Sequence, residues 1–335
     1  GDSGWPFFLD LAIARSAYLA GGSHTAFGHF SAHYRAQIDA CAKQELNSLV
    51  ACYGPALVDR ALLDALCRAL DISFYAAVRA NLPGVEAALT GDLAGFDFAA
   101  FLGSLEPAES IAARHTVGLV DPITAADQKE RVGDGLPETL EEVVARYGHR
   151  FFKLKVGGDL ADDTARLGAI AAVLDRLDEP YFASLDGNEQ YEDVDGIVEL
   201  WRRMTETPVL RRLAASVLFI EQPIKRQNAL AAEVSALGRD RPVIIDESDD
   251  SLDAFPRARA LGYAGVSSKT CKGLYKSVLN AARCVKWNSH GGTFFMSAED
   301  LTIQPGLALQ QDLALVNLLG ITHVERNGHH YVNGM

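Results

Sequence analysis

The stretch Phe151-Phe152-Lys153-Leu154-Lys155-Val156-Gly157-Gly158 decides how the chain is read. It is a short apolar run with two lysines one residue apart. Side chains alternate along a strand, so Lys153 and Lys155 share a face. The glycines end the strand and let the backbone turn. Two ammonium groups on one face repel, which lowers the proton affinity of each and makes a lysine available as a base near neutral pH. A surface strand with two solvated lysines has the same pattern, so its meaning rests on the surrounding sequence.

On either side, short apolar runs alternate with helical stretches. Candidate strands are 115–119, 151–155, 181–186, 217–221, 242–246, 264–269 and 293–297. Helix-like segments lie between them at 162–177, 194–203, 229–237, 252–261 and 274–285. Strands alternating with helices call for a parallel sheet, and seven or eight such units suit a closed β/α barrel better than an open sheet. The first hundred residues have a different rhythm. Apolar residues at helical spacing cover 32–50 and 55–80. The segment 21–28, Gly-Gly-Ser-His-Thr-Ala-Phe-Gly, reads as a glycine-rich, mobile loop, and 91–107 as a connection.

Three of the strands end in acid: Leu185-Asp186-Gly187-Asn188, Ile220-Glu221-Gln222-Pro223 and Ile245-Asp246-Glu247-Ser248. In a parallel barrel the C-terminal strand ends meet on one face. Three carboxylates converging there would repel unless a hard divalent cation such as Mg2+ joined them. Taken singly, each acid could equally be a loop residue or a helix cap. Alternation lets only one of Asp246 and Glu247 face inward, and Asp246 is chosen. A further strand ends at Lys269, which would reach the same face from the other side.

The chain has 335 residues, 48% hydrophobic and 22% charged, with a formal charge of −13 and a pI near 5.1. Such acidity argues against sequence-independent nucleic-acid binding. No apolar run is long enough for a membrane span. Segment 5–14 is apolar, but it contains Asp10 and lacks a basic leader, so it is a weak signal-peptide candidate. Five cysteines without a CxxC pair suggest free thiols in a reducing, cytoplasmic setting.

The ordered set Lys153-x-Lys155, Asp186-x-Asn188, Glu221-Gln222-Pro223, Asp246-Glu247-Ser248 and Lys269 followed by Lys272-Gly273 resembles the enolase superfamily, in its muconate-lactonizing and dipeptide-epimerase branch. The resemblance spans about 111–320. It implies an α/β fold: a modified (β/α) TIM-like barrel with a mainly helical N-terminal capping region. The expected division is 1–110 for the cap, 111–320 for the barrel and 321–335 for a C-terminal return to the cap. The family's cap begins with antiparallel strands, whereas this chain starts almost directly in helix. The cap is therefore reduced, or its strands lie outside this sequence. Because the cap selects substrate, the substrate class is blurred.

The resemblance further implies Mg-dependent removal of a proton next to a carboxylate, through a stabilised enediolate. One Mg2+ per chain, replaceable by Mn2+, would be held by Asp186, Glu221 and Asp246. Lys155 and Lys269 would act as acid/base on opposite faces. Lys153 would assist Lys155 or contact the substrate, and Asn188 and Glu299 would help hold a small carboxylate. A homo-oligomer is compatible with this reading. Racemisation or epimerisation, cycloisomerisation, and dehydration of the o-succinylbenzoate-synthase kind all remain open. So do a Schiff-base lyase, since barrels also use strand-end lysines as nucleophiles, and a binding protein on a retired enzyme fold. No His/Asp pair stands where the mandelate racemase branch has one. His290, His323, His329 and His330 read as a loop residue and a polar tail.

Overall fold

The structure is a computed structural model and describes residues 4–299 and 306–328. Eight strands form one parallel sheet: β1 (Ala112–Val117), β2 (Phe151–Lys155), β3 (Phe182–Asp186), β4 (Val217–Glu221), β5 (Val243–Ile245), β6 (Gly265–Ser268), β7 (Phe295–Ala298) and β8 (His323–Glu325). Their order is β7-β6-β5-β4-β3-β2-β1-β8, and β7 and β8 lie side by side at the seam. Arg114 of β1 spans that seam, donating to Ser297 Oγ and to the Ala298 carbonyl at 3.0 Å each. The result is a nearly closed barrel.

β2 and β4 fall where the apolar runs place them, residue for residue. The eighth strand does not. It forms at His323–Glu325, inside the 321–335 segment expected to return to the cap, and pairs with β1. His323 is therefore no polar tail. Its ring stacks on Phe151 at 4.6 Å and its Nδ1 lies 2.9 Å from Arg114. His329 and His330 lie outside the described residues.

Three of the intervening helices start where side-chain caps satisfy their first amides. Thr139, Asp159 and Asp193 cap the helices Leu140–Tyr147, Leu160–Leu174 and Val194–Glu206. Their apolar faces and the strands share one buried cluster containing Phe152, Leu154, Leu185, Ile220 and Val243.

The N-terminal region is helical: α1 (Trp5–Ala20), α2 (Ala26–Ala42), α3 (Tyr53–Leu70), α4 (Phe74–Arg79) and α5 (Phe98–Gly103). The helix expected over 55–80 breaks after Leu70, where Asp71 turns left-handed at φ 51°, and Ser73 caps a new start. The 91–107 connection contains α5, capped by Asp97. A second cluster joins this region to the barrel, with Phe27 and Phe30 packed 5.3 and 5.5 Å from Tyr275 on the helix Leu274–Asn288. No helix among the described residues is long and apolar enough to cross a membrane.

Candidate active site

Because the strands run the same way, their last residues rise to one rim. Around it, β2 contributes Lys153 and Lys155, β3 Asp186 and β4 Glu221. The turn after β5 contributes Asp246 and Glu247, and Lys269 follows β6. Glu299 follows β7, and Glu325 ends β8. β2 and β6 are four strands apart in a ring of eight, so Lys155 and Lys269 come from opposite sides of the mouth.

Lys153 and Lys155 share a face but differ in depth. The Lys153 side chain is 0% exposed, that of Lys155 21% and that of Lys269 13%. Lys153 Nζ lies 2.8 Å from Glu299, 2.9 Å from both Glu325 and Asp186, and 3.0 Å from Glu221. Burial alone would strip its proton, but these four carboxylates hold it well above the usual lysine range. Lys269 behaves alike: burial opposes its charge, yet Asp246 at 2.7 Å and Glu299 at 3.2 Å raise its proton affinity. The sequence expectation that crowded ammoniums lower one another is not met at Lys153, which has more carboxylates than cations around it. Lys155 donates to Asp186 Oδ2 and Asn188 Oδ1.

Asp246 and its neighbour Glu247 both reach the mouth. Asp246 Oδ2 accepts from Lys269, and its Oδ1 accepts from Lys272 at 2.8 Å. Lys272 also donates to the carbonyls of Asp246 (2.9 Å) and Ser267 (2.8 Å), which fixes the turn. Gln222 supports the same turn from β4. Its Oε1 accepts from the Asp246 and Ser248 amides at 2.9 and 3.1 Å. The β3 and β4 ends approach so closely that a β-carbon on Gly187 would stand 2.4 Å from Pro223 Cα, so only glycine fits there. Glu299 is held by Lys153 and by Ser267 Oγ at 2.7 Å. Glu325 accepts from Thr116 Oγ1, and from Asn327 Nδ2 at 2.9 Å.

Six carboxylates thus meet four ammoniums, two negative charges in excess. The imbalance is visible in two groups. Burial, then Glu299, pushes Glu221 well above the ordinary carboxylate range, and neither of its oxygens has a hydrogen-bond partner. Burial, then Asp246, pushes Glu247 up to about 8, and its Oε2 is also unpartnered. Asp186 and Glu299 go the other way: burial would raise them, but Lys153 with Lys155 or Lys269 holds them low. Carboxylate oxygens of Glu221, Asp246 and Glu299 lie within 4.8 Å of one another, the one such trio among the described residues. Buried oxygen-only donors, with both Glu221 oxygens lacking a hydrogen bond among the described residues, fit a hard divalent cation. Asp186, the third ligand expected, lies outside that trio and accepts from Lys153 and Lys155.

Sequence reading missed Glu325 and the structural weight of Lys272. Lys269, Lys272 and Lys276 recur at spacings of three and four, a pattern that could have flagged one lysine-rich face beside the acids.

A parallel eight-stranded barrel with a charged mouth and a helical cap defines a β/α-barrel enzyme scaffold. Residues 135–314 match the family described as enolase C-terminal domain-like, and the chain belongs to it. That places it in the enolase superfamily, whose members include isomerases and lyases. No curated protein matches the sequence. Among solved structures, a mandelate racemase/muconate lactonizing enzyme from Roseiflexus sp. is similar at TM-score 0.63 and 18% identity, over 100% of this chain and 78% of that one. A mandelate racemase/muconate lactonizing protein from Herpetosiphon aurantiacus gives 0.59 and 18%, over 91% and 72%. Muconate cycloisomerase from Pseudomonas fluorescens gives 0.56 and 20%, over 91% and 70%. At these identities the likeness is one of fold.

Proposed function

We propose that the chain removes a proton from the carbon next to the carboxylate of a small substrate, in a racemisation, epimerisation or cycloisomerisation. The observation that carries this is the disposition of lysines. Lys155 and Lys269 reach the mouth from opposite sides, over a floor of carboxylates that Lys153 ties together from below. A proton next to a carboxylate is very weakly acidic, so the developing enediolate must be met by fixed positive charge. A bound Mg2+, or Mn2+ in its place, supplies part of that charge. Glu221 and Asp246 would hold the ion, with either Asp186, as the resemblance implies, or Glu299, as the clustering favours. Lys155 takes or returns the proton on one face and Lys269 acts on the other. Lys153, sealed from the mouth, keeps the acids in place. Asn188 orients Lys155 and the substrate. The segment 1–110 acts as the cap that selects substrate, in a cytoplasmic protein.

The high proton affinity of Lys269 favours a second reading on the same site. Lys269 then stays protonated as the electrostatic partner of the enediolate, and the reaction is cycloisomerisation or dehydration. Proton exchange in deuterated water tests both, across N-acyl amino acids, dipeptides and acid sugars. Lys155→Ala and Lys269→Ala should each lower turnover by about 10²–10⁴-fold. In a racemase, each variant still exchanges one enantiomer, and a different one. If only Lys155 is needed for exchange, the second reading holds. If no carboxylate exchanges a proton in the presence of Mg2+, both readings fail.

A further inference from the structure

The glycine-rich turn between α1 and α2 contributes none of the charged residues of the barrel mouth described above. It carries His24, and α2 carries His29 and His33 four residues apart, on one face of the helix. The turn folds His24 back over that face. Ring centroids are 5.1 Å apart for His24–His29, 6.1 Å for His29–His33 and 6.3 Å for His24–His33. Tyr18 of α1 walls the cluster, its ring 5.6 and 5.2 Å from those of His29 and His33. Its hydroxyl donates to Asp59 Oδ1 at 2.8 Å.

Two ring nitrogens in the cluster are buried without a partner, Nδ1 of His29 and Nε2 of His33. A buried nitrogen left unpaired costs stability, so a ligand that engages it is favoured. Gly21 brings two of the rings to one place. A β-carbon there would stand 2.2 Å from His33 Nε2, and His24 Nε2 lies 2.8 Å from the Gly21 carbonyl oxygen.

We propose that His24, His29 and His33 bind a divalent transition-metal ion of the zinc type, which staples the glycine-rich turn to α2. Imidazole nitrogens suit such ions, whereas the oxygen-only mouth of the barrel suits Mg2+. Nitrogens about 2.0–2.1 Å from a tetrahedral ion put ring centroids roughly 5 Å apart. His24 and His29 already stand at that separation. The other two separations are wider and the three rings do not yet present their nitrogens to one point, so binding turns His33 toward the other two. The His29 and His33 rings are now stacked, 22° from parallel, and the ion replaces that stacking. Burial, and then the neighbouring histidines, hold both below the usual histidine range.

The test is calorimetric titration of the full chain with Zn2+ in saturating Mg2+, together with the visible spectrum of the Co2+ form. One Zn2+ should bind beyond the Mg2+, with a tetrahedral Co2+ spectrum. His29→Asn and His33→Asn should weaken Zn2+ by about 100-fold or more, in line with losing one of three ligands. His24 lies in the exposed turn, so His24→Ala leaves the fold intact and should weaken Zn2+ by about 10-fold or more. Glu221→Gln should leave Zn2+ affinity unchanged. The proposal is overturned if no Zn2+ binds, if His24→Ala binds it like wild type, or if Glu221→Gln abolishes it. That last outcome would put the ion among the barrel acids.

Discussion

At the barrel mouth, Asp186 and Glu299 are buried among lysines; in the helical region, Asp10 and Asp59 are equally buried, with no cation in ion-pairing distance among the described residues. Asp10 accepts from the Gly54 amide, from Gln37 Nε2 at 2.6 Å and from Cys41 Sγ at 3.4 Å. Asp59 accepts only from Tyr18. Burial therefore raises both cap acids, Asp59 to about 8, while the lysines hold Asp186 and Glu299 low. A buried charge survives only when paired, and an unpaired carboxyl keeps its proton instead. The cap thus uses Asp59 as a proton-bearing strut between helices. At the mouth, the lysines favour the ionised forms of Asp186 and Glu299.

Removing the shared cation should break this contrast most severely. Lys153→Met takes one ammonium from four carboxylates, and an uncompensated buried charge costs about 3–5 kcal/mol. Urea denaturation in chelator should show that loss. Millimolar Mg2+ should recover more stability in the variant than in wild type, because a divalent ion can take over the neutralising role. A variant as stable as wild type in chelator would mean that the clamp does not hold the mouth together.

In the cap, the matching change is Asp59→Asn. The folded protein holds the Asp59 proton to about 8, whereas an unfolded aspartate loses it near pH 4. Below pH 4 both states are protonated and the group has no effect. As pH rises toward 8, only the unfolded chain gains by ionising, so stability falls. Asparagine lacks that slope, and its carbonyl can still accept from Tyr18. The variant should match wild type near pH 4 and exceed it by an amount on the order of 5 kcal/mol at pH 8. Melting temperatures from pH 5 to 9 measure this. A constant gap would show that Asp59 ionises alike in both states.

Legibility in the sequence followed the length of the apolar runs. β2 and β4 are five-residue runs ending in charge, so their boundaries and their charged ends could be read directly. β8 is three residues with one aliphatic side chain, Val324, and β1 supplies its pairing through backbone. Glu325 was hidden for that reason. Lys272 and Lys276 lie in helical segments, where a lysine is ordinarily solvated. Only the tertiary approach of Asp246 and Asp249 buries them. Asp10 did leave a trace, as a lone acid in the apolar 5–14 stretch, a position that α1 turns toward Gln37 and Gly54.

The subtlest expectation concerns Glu221, a mouth acid that, like Glu247, behaves as the cap acids do. Its nearest cation is Lys153 at 3.0 Å, both oxygens lack hydrogen bonds, and burial and Glu299 oppose its charge. Without a divalent ion, Glu221→Gln relieves that opposition with a side chain of nearly the same shape. It should stabilise the protein by about 0.5–2 kcal/mol, the usual scale when strain kept for function is removed. With Mg2+ the ranking should reverse. Wild type gains about 2.7 kcal/mol at a hundred times the dissociation constant, and the variant, lacking a ligand charge, gains little. Melting temperatures with chelator and with Mg2+ read both halves. Asp186→Asn and Glu299→Gln then compete for the third ligand position: the one that loses more of the Mg2+-induced shift belongs to the ion, the other to the lysines. If wild type and Glu221→Gln respond to Mg2+ equally, Glu221 holds no metal, and the excess charge at the mouth must be met by the substrate.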